Sequence, residues 1–507
     1  MAHDVIVVGA GLGGLIAAAG LARAGRKVLV LEANPHIGGT SDVFRRGPWT
    51  FPMGPLSFSF PDRVRAFLAE AGAETDFTFR RNHFQLLSPR LDVVYSQPLI
   101  GLHDELVRLY PGEASGIGAF FDEIRGIIEA IRDIDRRHPD FAVPGRGSAP
   151  AGDPETEDPG GLGDRVLRWA STPSAGLLRS LVSDPSLICL LGSQGTSPPE
   201  MSLLNLGIMW RAMSDAGIWF PSCGIQGLCG RLAEAARSAG AEIRTSAAVA
   251  EILVRGGRAV GVRTAAAETL EAEWVVSNAD YKKTFLELLP AGSVPPGHLE
   301  TVESIPYTSS ELCVYLGLDP KGVDFGAMRA EHLFYRSEIR DGDPFDPADF
   351  ANHEIEICRW SDNSPGSGPE GSATLILRAG QPYSAWADWR TGEKTRRNGY
   401  REAKNRLAWS LVRTAERALP GLSTSIRFME AATPLTYRDW GRRTSGSIAG
   451  WSWTDRTARF SGRMLVRTPV PRLLAAGIYA ATGLFLGGVP TALLTGRLAA
   501  GIVLEES

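Results

Sequence analysis

Two short apolar runs, separated by a helix-like stretch, open the chain. Asp4-Val5-Ile6-Val7-Val8 is β-branched and short enough for a buried strand. Lys27-Val28-Leu29-Val30-Leu31 is a second run of the same kind, ending in Glu32. Between them Leu15 to Ala24 is rich in Ala and Leu, which favours a helix, and Gly25 supplies a stop. Further along, apolar residues return at helical spacing from Asp62 to Ala71 and from Gly116 to Arg137. In the latter, Phe120, Phe121, Ile124, Ile127, Ile128 and Ile131 predict one apolar stripe. A core-facing stripe is the commoner meaning of such spacing, with a membrane-surface helix as the alternative.

From Phe220 onward the pattern shifts. Gly227 to Ala239 reads as a helix, and Ala241 to Arg244 as a strand. Val249 to Arg255 and Ala259 to Thr264 read as strands joined by Gly256-Gly257, because glycine tolerates the positive φ of a tight hairpin turn. Trp274 to Ser277 and Leu473 to Ala476 are further apolar strands. Residues 291 to 467 mix strands and loops with one helix, Gly399 to Leu419. The last helix starts at Val489, with Pro490 in its first turn, and runs to about Ile502. Pro144 to Asp164 holds four prolines and six glycines and predicts an exposed flexible loop.

The turn between the first strand and helix, Gly9-Ala10-Gly11-Leu12-Gly13-Gly14, carries the most chemistry. Gly9 permits the tight turn, Gly11 lets the backbone approach a pyrophosphate, and Gly14 lets the helix pack on the strand. The helix start offers N–H groups and a positive dipole end to phosphates. Glu32 falls where a carboxylate accepts hydrogen bonds from an unphosphorylated ribose. Glycine-rich turns are common, and one that holds no nucleotide is the competing reading. The second strand and its terminal acid count against that reading.

At 507 residues the chain predicts about two to four domains. A net charge of −4 excludes a general attraction to nucleic acid. The five cysteines form no C-x-x-C pair, so neither a metal site nor a disulfide framework is expected. No apolar run reaches the ~20 residues that span a bilayer. The first strand begins at residue 4, which leaves no room for a cleavable leader. These features predict a cytoplasmic protein, with peripheral membrane contact left open.

In this order the pieces resemble the flavin-dependent amine oxidase and phytoene desaturase superfamily, and within it the carotenoid desaturase, carotenoid isomerase and retinol saturase branch. The likeness rests on Gly9 to Gly14 with Glu32 and Gly38-Gly39, and on Phe220 to Ile225 before a helix. It rests also on Val249-Ala250-Glu251-Ile252 with Val276-Ser277-Asn278-Ala279, on Tyr400 to Pro434, and on Gly477 with Gly487-Gly488-Val489-Pro490. The resemblance implies an α/β fold, in which a discontinuous Rossmann-type FAD-binding domain joins a mixed α+β substrate domain. The FAD-binding part would be 1–60, 220–290 and 468–507, and the substrate part 61–219 and 291–467.

It further implies cofactor contacts from Gly9, Gly11, Leu12 and Gly14, then from Glu32 and Ala33. Gly38, Gly39, Thr40 and Gly54 would follow, with Val249 against the adenine through its backbone, and Asn278. At the far end Gly477, Ile478, Gly488 and Val489 would flank the flavin. A helix starting at Val489 would aim its positive end at the pyrimidine edge, where charge collects on reduction. Three positions depart from the pattern. Ile478 stands where the superfamily usually has Asp or Glu, Pro52 and Met53 stand where an Asp often precedes the glycine, and Cys223 replaces a usual glycine. Ile478 predicts a looser or shifted grip on the flavin half.

The cofactor would carry the hard step, so the protein need not show an acid–base pair. The catalytic residues are not legible. The eight histidines sit in no ligand spacing, and each reads as a surface or ordinary polar residue. The pairs Asp341/Asp343 and Glu354/Glu356 read as solvated loop and strand faces. Residues 202 to 220, with Trp386, Trp389, Trp440, Trp451 and Trp453, read first as core and second as lining for an apolar tunnel. Tyr437 and Thr433 are the polar candidates just ahead of the flavin segment. The expected activity is desaturation, saturation or isomerisation of carbon–carbon bonds in an isoprenoid, carotenoid or fatty-acyl substrate. The alternatives are an amine oxidase and a flavin-free lipid escort of the Rab GDP-dissociation-inhibitor type. No second G-x-G-x-x-G follows a strand, so no separate nicotinamide domain is expected.

Overall fold

The computed structural model describes residues 3–95, 99–137, 162–192, 200–340, 345–452, 465–481 and 487–507. Two seven-stranded sheets organise it. In the first, strand β1 (His3–Val8) lies between β2 (Val28–Leu31) and the strand Thr269–Ser277, parallel to both. Glu242–Arg244 extends it beyond β2, and Leu473–Ala475 flanks Thr269–Ser277, both again parallel. The hairpin Val249–Arg255/Arg258–Thr264 adds an antiparallel edge, with Gly256 at φ 58° and Gly257 at φ 75°. β1 and β2 are covered on both faces, so they are continuous apolar runs and not alternating ones.

Helix α1 (Leu12–Arg23) and the last helix (Gly488–Glu505) pack against each other at near-backbone distance. Small residues permit it: a Cβ on Gly496 would run into the Gly13 carbonyl and the Ile16 side chain. A Cβ on Gly13 would lie 2.6 Å from the Gly477 nitrogen. The opening turn and the C-terminal segment are therefore in direct contact.

The second sheet runs Ile426–Ala432, Ser310–Leu318, Ala373–Gln381, Ile355–Arg359, His332–Tyr335, Phe84–Ser88, Leu91–Tyr95. One face carries Leu312, Val314, Leu316, Leu333, Ile357 and Leu377, packed with Ala408, Leu411 and Val412 of the helix Tyr400–Glu416. The other face looks towards the first sheet.

A third apolar core belongs to the helices between residues 99 and 213. The helix Ala114–Arg137 buries all six residues of its predicted stripe against Trp169, Leu187 and Leu206. The stripe faces a core, not a surface. The proline- and glycine-rich segment is shorter than its expected end, because a helix begins at Leu162. Residues 144–161 of that expected loop, and Trp453, lie outside the described residues. Among the described residues no helix is long and apolar enough to cross a membrane.

Candidate functional site

One cavity of about 630 Å³ runs between the two sheets. At one end it is walled by Gly9, Gly11, Leu12, Glu32, Ala33 and Val249. Its middle is lined by Gly38, Gly39, Thr40, Gly54 and Asn278, and then by Gly477, Ile478 and Gly488. Gly14 and Val489 do not line it. Gly14 lies beneath the turn, where only glycine fits against the Gly9 carbonyl, and Val489 is 1% exposed behind Gly488. The other fourteen expected positions, drawn from six stretches of sequence, converge on this one cleft.

Local chemistry explains the convergence. Gly9 takes φ 97° and Gly38 φ 104°, a region closed to most side chains. The Glu32 carboxylate accepts from the Ala10 N–H at 2.8 Å and from the Asn34 N–H at 2.8 Å, so it pins both loops at the strand ends. The Gly38 N–H donates to the Ala10 carbonyl at 2.8 Å. Arg443, which sequence reasoning missed, donates to the Thr40 hydroxyl at 2.6 Å and to the Ile448 carbonyl at 2.6 Å. Asp280 accepts from the Tyr307 hydroxyl at 2.8 Å and the Thr444 N–H at 2.7 Å, closing the cleft from the other side.

The cleft has the shape and donor set for FAD. A Cβ on Gly11 would stand 2.9 Å from the Asn278 amide, and one on Gly54 2.6 Å from the Thr40 carbonyl, so the close packing of the cleft wall requires glycine at both positions. Helix α1 starts at Gly11 with no side-chain cap and no acid in its first turn, which suits a pyrophosphate. The last helix starts at Gly487 in the same way, with the positive end of eighteen residues directed at the cavity. Ile478 turns its Cδ1 towards Gly488, so this stretch of wall is apolar where a carboxylate is usual.

Beyond Ile478 the cavity reaches the second sheet. Asn205, Ile208, Met209 and Met213 line it, as do Phe84 and Phe334. The tunnel reading of residues 202–220 thus applies to the helix Leu203–Arg211 and the turn after it. It does not extend to Trp386, Trp389, Trp440 or Trp451. Trp386 is buried against Gln381, Trp451 packs on Tyr307 and Tyr479, and Trp440 is largely exposed. Thr433 is not a lining residue either. Its hydroxyl bonds Tyr400, and it begins the short helix Pro434–Asp439 that carries Tyr437.

The unexpected feature is a charged stripe on this face of the second sheet. Strand register places Glu356 opposite Arg378, and Arg378 opposite Cys313, two residues from Glu311. His332 stands opposite Cys358 and shares the face. Arg378 grips Glu311 through Nε and Nη2, each at 2.9 Å, and reaches Glu356 through Nη1 at 3.4 Å. Glu356 meets His332 Nδ1 at 2.8 Å, and Tyr437 donates to Glu311 at 2.5 Å. All five side chains line the cavity.

Two expectations fail here. His332 is 1% exposed and ion-paired, not a surface histidine, and Glu356 belongs to a buried network, not a solvated strand face. Burial disfavours the charged His332 ring, but Cys358 and Glu356 outweigh it and push its pKa up to about 10. Burial also raises the Tyr437 phenol, with Glu311 adding to the shift. For Glu356, burial opposes ionisation, yet His332 and Arg378 hold it below the ordinary carboxylate value.

A raised folded-state pKa means that His332 contributes stability in full below 6.5 and loses it as pH climbs through about 10. In His332→Gln the fall of thermal midpoint between those limits should be shallower than in the parent protein. Parallel melting curves across that range would show the pairing to be inert.

The profile of the family described as flavin containing amine oxidoreductase matches residues 12–504. The prolycopene isomerase of Daucus carota is 27% identical over 464 residues, covering 88% of this chain and 71% of that protein. The zeta-carotene-forming phytoene desaturase of Myxococcus xanthus is 27% identical over 487 residues, covering 90% and 83%. Among solved structures, an oxidoreductase from Methanosarcina mazei superposes with a TM-score of 0.63 at 16% identity, covering 99% of this chain and all of that one. That likeness speaks for the fold. With a dinucleotide cleft, two helix starts directed into it and a family profile spanning nearly the whole length, the chain belongs to the flavin-containing amine oxidoreductase family and is an FAD-dependent oxidoreductase.

Proposed function

We propose that this protein changes the saturation or geometry of carbon–carbon bonds in a hydrophobic, isoprenoid-like substrate. One observation carries the reading: a single cavity joins the dinucleotide cleft to a wall of Phe84, Ile208, Met209, Met213 and Phe334. The carotenoid-named relatives support it. FAD, when bound, supplies two-electron transfer at the ring. In this reading Glu32, Ala33 and Val249 hold the adenosine half, and the start of α1 holds the pyrophosphate. Thr40, Gly54, Gly477, Ile478 and Gly488 flank the ring. The methionines and phenylalanines orient the substrate and exclude water. The division into an FAD-binding unit (1–60, 220–290, 468–507) and a substrate unit (61–219, 291–467) follows from the same reading. It is supported by sheets drawn almost wholly from one unit or the other.

The test is anaerobic mixing of FAD-loaded protein, oxidised and chemically reduced, with phytoene, prolycopene and a simple amine. A change of flavin absorbance, or a new polyene product by chromatography, with the apolar compounds alone is expected. Turnover confined to the amine, with peroxide released in air, would replace this reading with amine oxidation.

A further inference from the structure

Burying an ion-pair network in the wall of an apolar cavity is costly, and a hydrocarbon substrate gains nothing from it. The sheet could have carried Leu or Val at Glu311, Arg378 and Glu356 as it does on its other face. The stripe crosses four neighbouring strands from Glu311 to His332, whose strand pairs with that of Phe84, roughly 14 Å at ordinary strand spacing. It therefore lies along the path a long substrate would take.

The network is tight at one end and slack in the middle. Glu311 is held by two 2.9 Å bonds from Arg378 and a 2.5 Å bond from Tyr437. Arg378 Nη1 and Glu356 Oε2 stand 3.4 Å apart, beyond the usual range for a charged pair. The side chains of Arg378 and Glu356 keep 20% and 17% of their exposure, while Glu311 keeps 6% and His332 1%. All of these side chains line the cavity, and the slack pair is the most exposed part of the network. It presents one donor and one acceptor side by side, the complement of a hydroxyl, which can accept from Nη1 and donate to the carboxylate. A substrate carboxylate could accept from Nη1 but cannot donate to Glu356, against whose charge it would stand. A hydrocarbon would leave the pair as it is.

We propose that the substrate is an alcohol, an apolar chain whose hydroxyl inserts between Arg378 Nη1 and Glu356. Arg378 and Glu356 are then the specificity-determining residues of the cavity, with Glu311 and His332 fixing their positions. The proposal rests on the reading of an apolar substrate given above.

The test is equilibrium binding to FAD-loaded protein of three fluorescent probes with one polyene skeleton: all-trans-retinol, its deoxy hydrocarbon, and its carboxylic acid. The alcohol should bind roughly tenfold or more tightly than the hydrocarbon, as hydrogen bonds to charged groups require. The acid should bind no better than the hydrocarbon. In Arg378→Lys, which keeps a cation beside Glu311 but removes Nη1, the ratio of alcohol to hydrocarbon affinity should fall towards one. Equal affinities for alcohol and hydrocarbon, or tightest binding of the acid, would overturn the subsite and leave the apolar reading standing. Failure of all three probes to bind would overturn both. The parent-protein comparison decides the matter even if the variant does not fold.

Discussion

A Gly13→Val protein should lose FAD on gel filtration and unfold well below its parent. The new Cβ would meet the Asn278 side-chain oxygen at 2.5 Å and the Gly477 backbone at 2.6 and 2.8 Å. The Gly477 backbone cannot yield. Gly477 is held at φ 89° with its carbonyl bonded by the Thr495 hydroxyl, and Asn278, just past the strand beside β1, has its N–H on the Val8 carbonyl at 2.8 Å. Overpacking of this kind costs about 1–3 kcal/mol, with more where backbone must move. The displacement would fall on the helix start that faces the pyrophosphate. Gly20→Ala is the control in the same helix. Its Cβ would sit at ordinary contact distance, 3.6 Å from that of Ala500, so it should be neutral or stabilise by up to about 1 kcal/mol. Calorimetric FAD titration and urea melts separate the outcomes. Equal FAD affinity in both variants would detach the opening turn from the cofactor.

Arg378→Met is expected to be the most damaging single change in the second sheet. It leaves Glu311 and Glu356 on a buried face without the cation that joins them, and breaking a buried pair from one side costs about 3–5 kcal/mol. Adding Glu311→Leu removes one of the stranded charges and should recover a large part of that loss. Arg427→Met, which ends a mostly exposed contact with Asp319, should change stability by less than about 1 kcal/mol. Urea denaturation of the single and double variants gives the coupling. If Arg378→Met and Arg427→Met cost the same, the stripe is solvated and the site has been misread.

These two changes mark what the sequence discloses and what it hides. The opening β1–α1–β2 unit was legible because its signals are local: apolar runs of strand length, glycines where φ is positive, and an acid at the strand end. The hairpin at Gly256-Gly257 and the helix after Gly487-Gly488 were legible for the same reason. The charged stripe was not. Glu311, His332, Glu356 and Arg378 meet only through strand register, and the bond from Arg378 to Glu311 spans 67 positions. Read singly, each is a polar residue in a strand.

A signal was nonetheless present in the alternation. Glu311-Leu312-Cys313-Val314-Tyr315 and Ile355-Glu356-Ile357-Cys358 place their polar members on one face of strands that are apolar on the other. Thr433 shows the opposite error. Its hydroxyl and closeness to the flavin segment suggested a site, but tertiary contacts commit it to Tyr400 and a helix start.

The most direct test of the account is a crystal structure of the protein grown with FAD. The adenine should lie against Ala33 and Val249 with the ribose on Glu32. The isoalloxazine ring should lie beside Gly487 and Gly488, with one face open towards Tyr437 and the stripe. A ring found outside this cavity, or a cleft that excludes FAD altogether, would contradict the account.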